Sequence, residues 1–89
     1  MRAVVSVIGK DRVGILAKVA TACASCNASV IEVNQSVMQE MFAMVMLVDI
    51  QSLNVGFDDF VSAVEAVGSE LSLSAHVMHE DIFNSMHRI

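Results

Sequence analysis

With 89 residues the chain has the mass of one domain and not of two. Hydrophobic residues at 55% and charged residues at 17% exclude a disordered tail. A net charge of −5 and the lack of any polybasic stripe exclude phosphate backbones and anionic lipid as partners.

Arg2 to Ile8 is rich in β-branched residues and predicts a strand. Val5 and Val7 face one way and Val4 and Ile8 the other, the pattern of a central strand. Gly9 to Gly14 predicts a short turn into a helix that runs to about Cys26, with Asp11 as its N-cap. Leu16, Val19, Ala20 and Cys23 form the inward stripe of that helix, and Asn27 stops it because Asn tolerates the left-handed conformation. Ser29 to Met38 predicts a second strand, with Ile31, Val33 and Val37 on one face and Glu32, Asn34 and Ser36 on a wet one. Gln39-Glu40 must be a hairpin turn by length, although it lacks the usual glycine.

Met41 to Ile50 predicts a third strand, apolar on both faces until Asp49, followed by a loop from Gln51 to Val55. Phe57, Phe60, Val61, Val64 and Val67 define a second helix closing near Gly68, and Asp58-Asp59 suits its positive start. Leu71, Leu73, Ala75 and Val77 give a fourth strand with Ser72, Ser74 and His76 opposite. Ile82, Phe83, Met86 and Ile89 place a short helix over Glu80 to Ile89.

The order βαββαβ plus a C-terminal helix is the α+β ferredoxin-like arrangement: a four-stranded antiparallel sheet with two helices on one face. The chain is therefore read as one domain over residues 1–89, with a core at 2–79 and the tail helix at 80–89. Folding such a chain buries roughly 63% of its extended surface. At ~25 cal/mol/Å² that contributes about 130 kcal/mol, which the ordering of each residue at about 1.5 kcal/mol nearly cancels. The second sheet face is also left with apolar residues, so a homodimer is expected. The longest apolar run, Met41 to Val48, is too short to span a bilayer, and Lys10, Asp11, Arg12 and Lys18 interrupt any leader-like stretch, so the cytoplasm is the expected compartment.

The segment Val5-Ser6-Val7-Ile8-Gly9-Lys10-Asp11-Arg12-Val13-Gly14-Ile15-Leu16-Ala17 resembles the opening of an ACT domain. That family shows a strand, a Gly-x-Asp-Arg-Pro-Gly-like turn, then Ile-Leu or Leu-Leu at the helix start. Asn27-Ala28-Ser29-Val30-Ile31 is similar to the family's lead into the second strand, and His79 to Ile89 is similar to the tail of small stand-alone ACT proteins of undefined function. The resemblance covers residues 2–79. It implies a regulatory module that senses an amino acid or another small metabolite, works as a homodimer and acts on a regulated protein. By resemblance the ligand is held by Gly9, Asp11, Arg12, Val13, Gly14 and Ile15, with Asn34 and Gln35 from the second strand. Val13 stands where Pro is frequent, and Asn27 where Gly is frequent.

The residues support such a site independently. Unpaired amides at a helix start receive a carboxylate, Gly14 leaves room for a ligand backbone, and Asp11 can pair with an ammonium. The competing reading has Asp11 and Gly14 serve the turn alone, in an interaction module that docks a partner without a ligand. A third reading assigns metal or redox chemistry to Cys23, Cys26 and the histidines. Cys23 and Cys26 fall in the last helical turn, where the dipole opposes a thiolate, so they are read as core. His76 and His79 are three apart on a strand and face opposite ways, and His79 and His87 are roughly 12 Å apart in helical rise. No metal site, cofactor or catalytic nucleophile is therefore assigned, and the protein is not read as an enzyme. Met38, Met41, Met44 and Met46 cluster on the hairpin and suit core and dimer surface.

Overall fold

The computed structural model describes residues 1–86. The expectations for His87, Ile89 and the Met86 side chain lie outside the described residues. The elements follow the order read from the sequence: β1 (Arg2–Lys10), α1 (Ile15–Ser25), β2 (Ser29–Met38), β3 (Met41–Asp49), α2 (Phe57–Glu70), β4 (Ser74–His79) and α3 (Glu80–Met86). The four strands form one antiparallel sheet in the order β2-β3-β1-β4. This is the ferredoxin-like fold.

Register explains the core. Val5 stands between Met46 and Val77, and Val7 between Met44 and Ala75, so the inward residues of β1, β3 and β4 line one face. That face packs against Ile15, Val19 and Cys23 of α1 and Phe60 and Val64 of α2, each set at four-residue steps. On the other face Ile8, Val45 and Met41 are exposed. Val4, also on that face, is buried, and α3 packs against β1 and β4, with Glu80 ion-paired to Arg2.

Several boundaries move for identifiable reasons. Gly9 and Lys10 continue β1, pairing with Phe42 and Met41. The N-cap of α1 is Gly14, not Asp11, and no side chain bonds to the end of the helix. β2 does not have one dry face: all ten of its residues are exposed, because it is the edge strand and α1 packs on it only sparsely. A bulge between Val30 and Glu32 also breaks its alternation.

Gly68 does not end α2 but lies inside it. A Cβ there would sit 2.7 Å from the Ala75 Cβ, so the missing side chain lets helix and strand approach. The chain stops the helix at Leu71 instead. The Ser72 N–H donates to the Ser69 carbonyl and the Leu73 N–H to the Gly68 carbonyl, with Ser72 at φ 59. This delays β4 to Ser74, while Leu71 and Leu73 remain in the core. Asn27, at φ 61, ends α1 by the same motif, as its residue type predicts.

Gly68→Ala is expected to lower stability by about 1–3 kcal/mol through overpacking. The check is the urea midpoint at constant m-value; an unchanged midpoint contradicts the close approach.

Candidate functional site

Three segments meet at one end of the sheet. Lys10 closes β1, residues 11–14 turn into α1, and Gln39-Glu40 turns β2 into β3 with Gln39 at φ 57. The Asp11 N–H donates to the Glu40 carbonyl at 2.8 Å and ties the two turns together. Gly14 then adopts φ 88, a left-handed geometry that glycine takes without a Cβ penalty.

That geometry leaves the start of α1 open. The first intrahelical bond runs from the Lys18 N–H to the Gly14 carbonyl, so the amides of Ile15, Leu16 and Ala17 precede it. No capping side chain covers them, and the first turn holds no acidic residue to offset the positive end of the helix dipole. The amides border a groove of about 310 Å³ between α1 and β2. Asp11, Arg12, Gly14 and Ile15 line one wall and Gln35, Ser36, Val37 and Phe42 the other.

Five of the eight sequence-predicted residues therefore converge: Asp11, Arg12, Gly14, Ile15 and Gln35. Gly9 does not belong to the groove. It is a strand residue whose Cβ would collide with Leu73 Cδ2, so it serves packing. Val13 is 98% exposed at the tip of the turn. Asn34 pairs with Val45 and faces the other side of the sheet. Sequence reasoning missed Leu16, Ala17, Ser36, Val37 and Phe42 as lining residues. Strand alternation from Gln35 points to Val37, and the register then brings in Phe42, its cross-strand partner.

Charge at the groove is sparse. Arg12 Nη1 donates to the Leu71 carbonyl at 3.2 Å, and among the described residues the guanidinium has no carboxylate partner. A second depression of about 320 Å³ lies between α1 and α2, flanked by Lys18 and Glu70. Those two side chains already pair with each other at 3.2 Å. The groove at α1's start thus offers uncapped amides together with charge of both signs.

The cysteines take the core positions read for them. Cys23 is fully buried and Cys26 nearly so. Burial, and secondly the neighbouring Cys26, pushes the Cys23 thiol up from 9.0 to about 11. His76 is exposed opposite Ser6, whereas His79 lies edge-on to Phe57 with ring centroids 6.3 Å apart. The His79 Nδ1 accepts from the Asp81 N–H at 3.2 Å. No group of three His, Cys, Asp or Glu side chains that could hold a metal occurs among the described residues.

Against known proteins, the family model described as ACT domain matches residues 2–83. The chain belongs to the ACT-domain family. Within that class it is similar to the UPF0237 protein of Methanocaldococcus jannaschii, at 47% identity over 99% of this chain and 98% of that protein. Among solved structures, an ACT domain protein from Streptococcus pneumoniae matches with a TM-score of 0.80 and 29% identity, covering 93% of each chain. The regulatory subunit of aspartate kinase from Thermus thermophilus matches with a TM-score of 0.67 and 27% identity, over 85% of this chain and 49% of that one. Among the described residues no helix is long and apolar enough to cross a membrane.

The raised thiol has a consequence for stability. Above pH 9.0 the Cys23 thiol ionises in the unfolded chain but not in the folded one, so stability is expected to fall as pH rises from 9.0 towards about 11. Urea midpoints on either side of this window check it; Cys23→Ala should flatten the slope, and an equal slope in that variant contradicts the assignment.

Proposed function

We propose that the protein is a regulatory, non-catalytic module of the cytoplasm. In this reading it binds an α-amino acid or a close relative in the groove between α1 and β2 and works as a homodimer on a regulated protein. The observation that carries the reading is the set of uncapped amides of Ile15, Leu16 and Ala17 beside Asp11 and Arg12. A carboxylate suits the amides and the guanidinium, an ammonium suits Asp11, and an amino acid presents both groups at once. Phe42 and Val37 offer apolar surface to the ligand side chain. Membership of the ACT family and the likeness to a regulatory subunit of aspartate kinase support a regulatory role.

The second copy is placed on β2. Its outer edge is unpaired over ten residues, carries Val33 and Val37 exposed, and has neither Lys nor Pro to deter strand pairing. Antiparallel pairing of two β2 strands would wall the groove with residues of the partner. Ligand binding then favours one pairing geometry by differential affinity.

Two measurements test the reading. Calorimetry against the common amino acids at millimolar concentration should detect binding that Asp11→Asn weakens by about tenfold, the equivalent of ~1.4 kcal/mol. Silence across the whole set contradicts the ligand class. Sedimentation should show a dimer that Val33→Lys dissociates; a monomeric wild type contradicts the assembly.

A further inference from the structure

The Arg12 bond joins two segments far apart in the chain. It links the turn before α1 to a carbonyl 59 residues away. Its acceptor, Leu71, is the C-cap of α2, at the corner where the chain reverses into β4. That corner contains Ser72 at φ 59, a conformation costly for a residue with a Cβ, so it persists only while its surroundings hold it. The corner is coupled to β4 at close range, through Leu73 N–H to the Gly68 carbonyl at 2.7 Å and the Gly68–Ala75 approach.

Arg12 also borders two openings. It lines the groove at α1's start, and it lines a cleft of about 360 Å³ with Lys10, Asp11, Leu71 and Ser72. The guanidinium has five donors and spends one on a neutral carbonyl. A carboxylate is the better partner, because a charge-assisted, two-pronged bond is roughly twice as strong as a neutral one.

We propose that Arg12 is a releasable tether: with the groove empty it holds the α2–β4 corner, and a carboxylate in the groove draws it off Leu71 and loosens that corner. The inference rests on the groove reading for its trigger, and it adds the route by which occupancy reaches the far edge of the sheet. The groove opens beside β2, whereas the corner starts β4, the opposite edge strand. Arg12 is thus a ligand-contacting residue whose partner changes with occupancy.

Amide hydrogen exchange on the full chain tests this, with sodium acetate as the probe and sodium chloride at equal ionic strength as the reference. In the wild type, acetate should speed exchange of the amides from Leu71 to Ala75 several-fold, up to about tenfold, the scale of one hydrogen bond. Arg12→Met should show the faster exchange in chloride already and no further response to acetate. Arg12→Lys, which keeps the charge on a single ammonium, should lie between. Wild-type exchange rates in Arg12→Met overturn the tether, and a wild type indifferent to acetate overturns the release. Should Arg12→Met not fold, Arg12→Lys alone decides: rates equal to wild type in both salts overturn the proposal. These outcomes are independent of amino-acid calorimetry, so failure of the ligand assignment is distinguishable from failure of the tether.

Discussion

Two helices do not span four strands, and the placement of the bare strand governs the rest of this structure. Gly68 draws α2 down onto Ala75, so α2 is seated firmly over β4. α1 reaches β2 only weakly, and β2 stays exposed along its whole length. The same offset opens a groove between α1 and the inner surface of β2 and leaves a hydrogen-bonding edge beside it. Groove and free edge are therefore two results of one packing decision. In the proposed homodimer a site at this edge is shared with the second copy.

The chemistry of the groove comes from the backbone more than from side chains. A left-handed glycine sets α1 off without a side-chain cap, and the uncapped amides carry the positive end of the helix dipole. In a chain of net charge −5 this end holds Lys10, Arg12 and Lys18, three of the five basic residues. Among the described residues Lys18 is paired with Glu70, whereas Arg12 rests on a carbonyl. The proposed attraction for a carboxylate is thus a local one, on a molecule whose overall charge turns away phosphate polymers.

Much of this was legible in the sequence. Apolar strand patterns, helical stripes at steps of three and four, and Asn27 at its left-handed position specified the order of the elements, the approximate helix faces and one helix end in purely local terms. The motif from Gly9 to Gly14 pointed to the end of the molecule where the groove between α1 and β2 lies. What escaped depended on neighbours distant in the chain. Gly68 looked like a helix stop, because nothing local reveals that Ala75 needs its empty space. Gly9 looked like part of the turn, because its pairing with Phe42 is a property of β3. Asp11 looked like the cap, although its amide is taken up by Glu40 and glycine itself starts the helix. Asn34 and Gln35 were both assigned to the site, and pleating allows only one of two adjacent residues to face α1.

The central claim is that the opening amides of α1 receive a carboxylate. Amide chemical shifts report it directly, residue by residue, as an amino acid is titrated into isotopically labelled protein. The account predicts saturable shifts at Ile15, Leu16 and Ala17, together with the Gln35 side-chain amide, from at least one amino acid, and none from the matching amine that lacks the carboxylate. Shifts that saturate elsewhere while those three amides stay fixed, or an equal response to the amine, would contradict it.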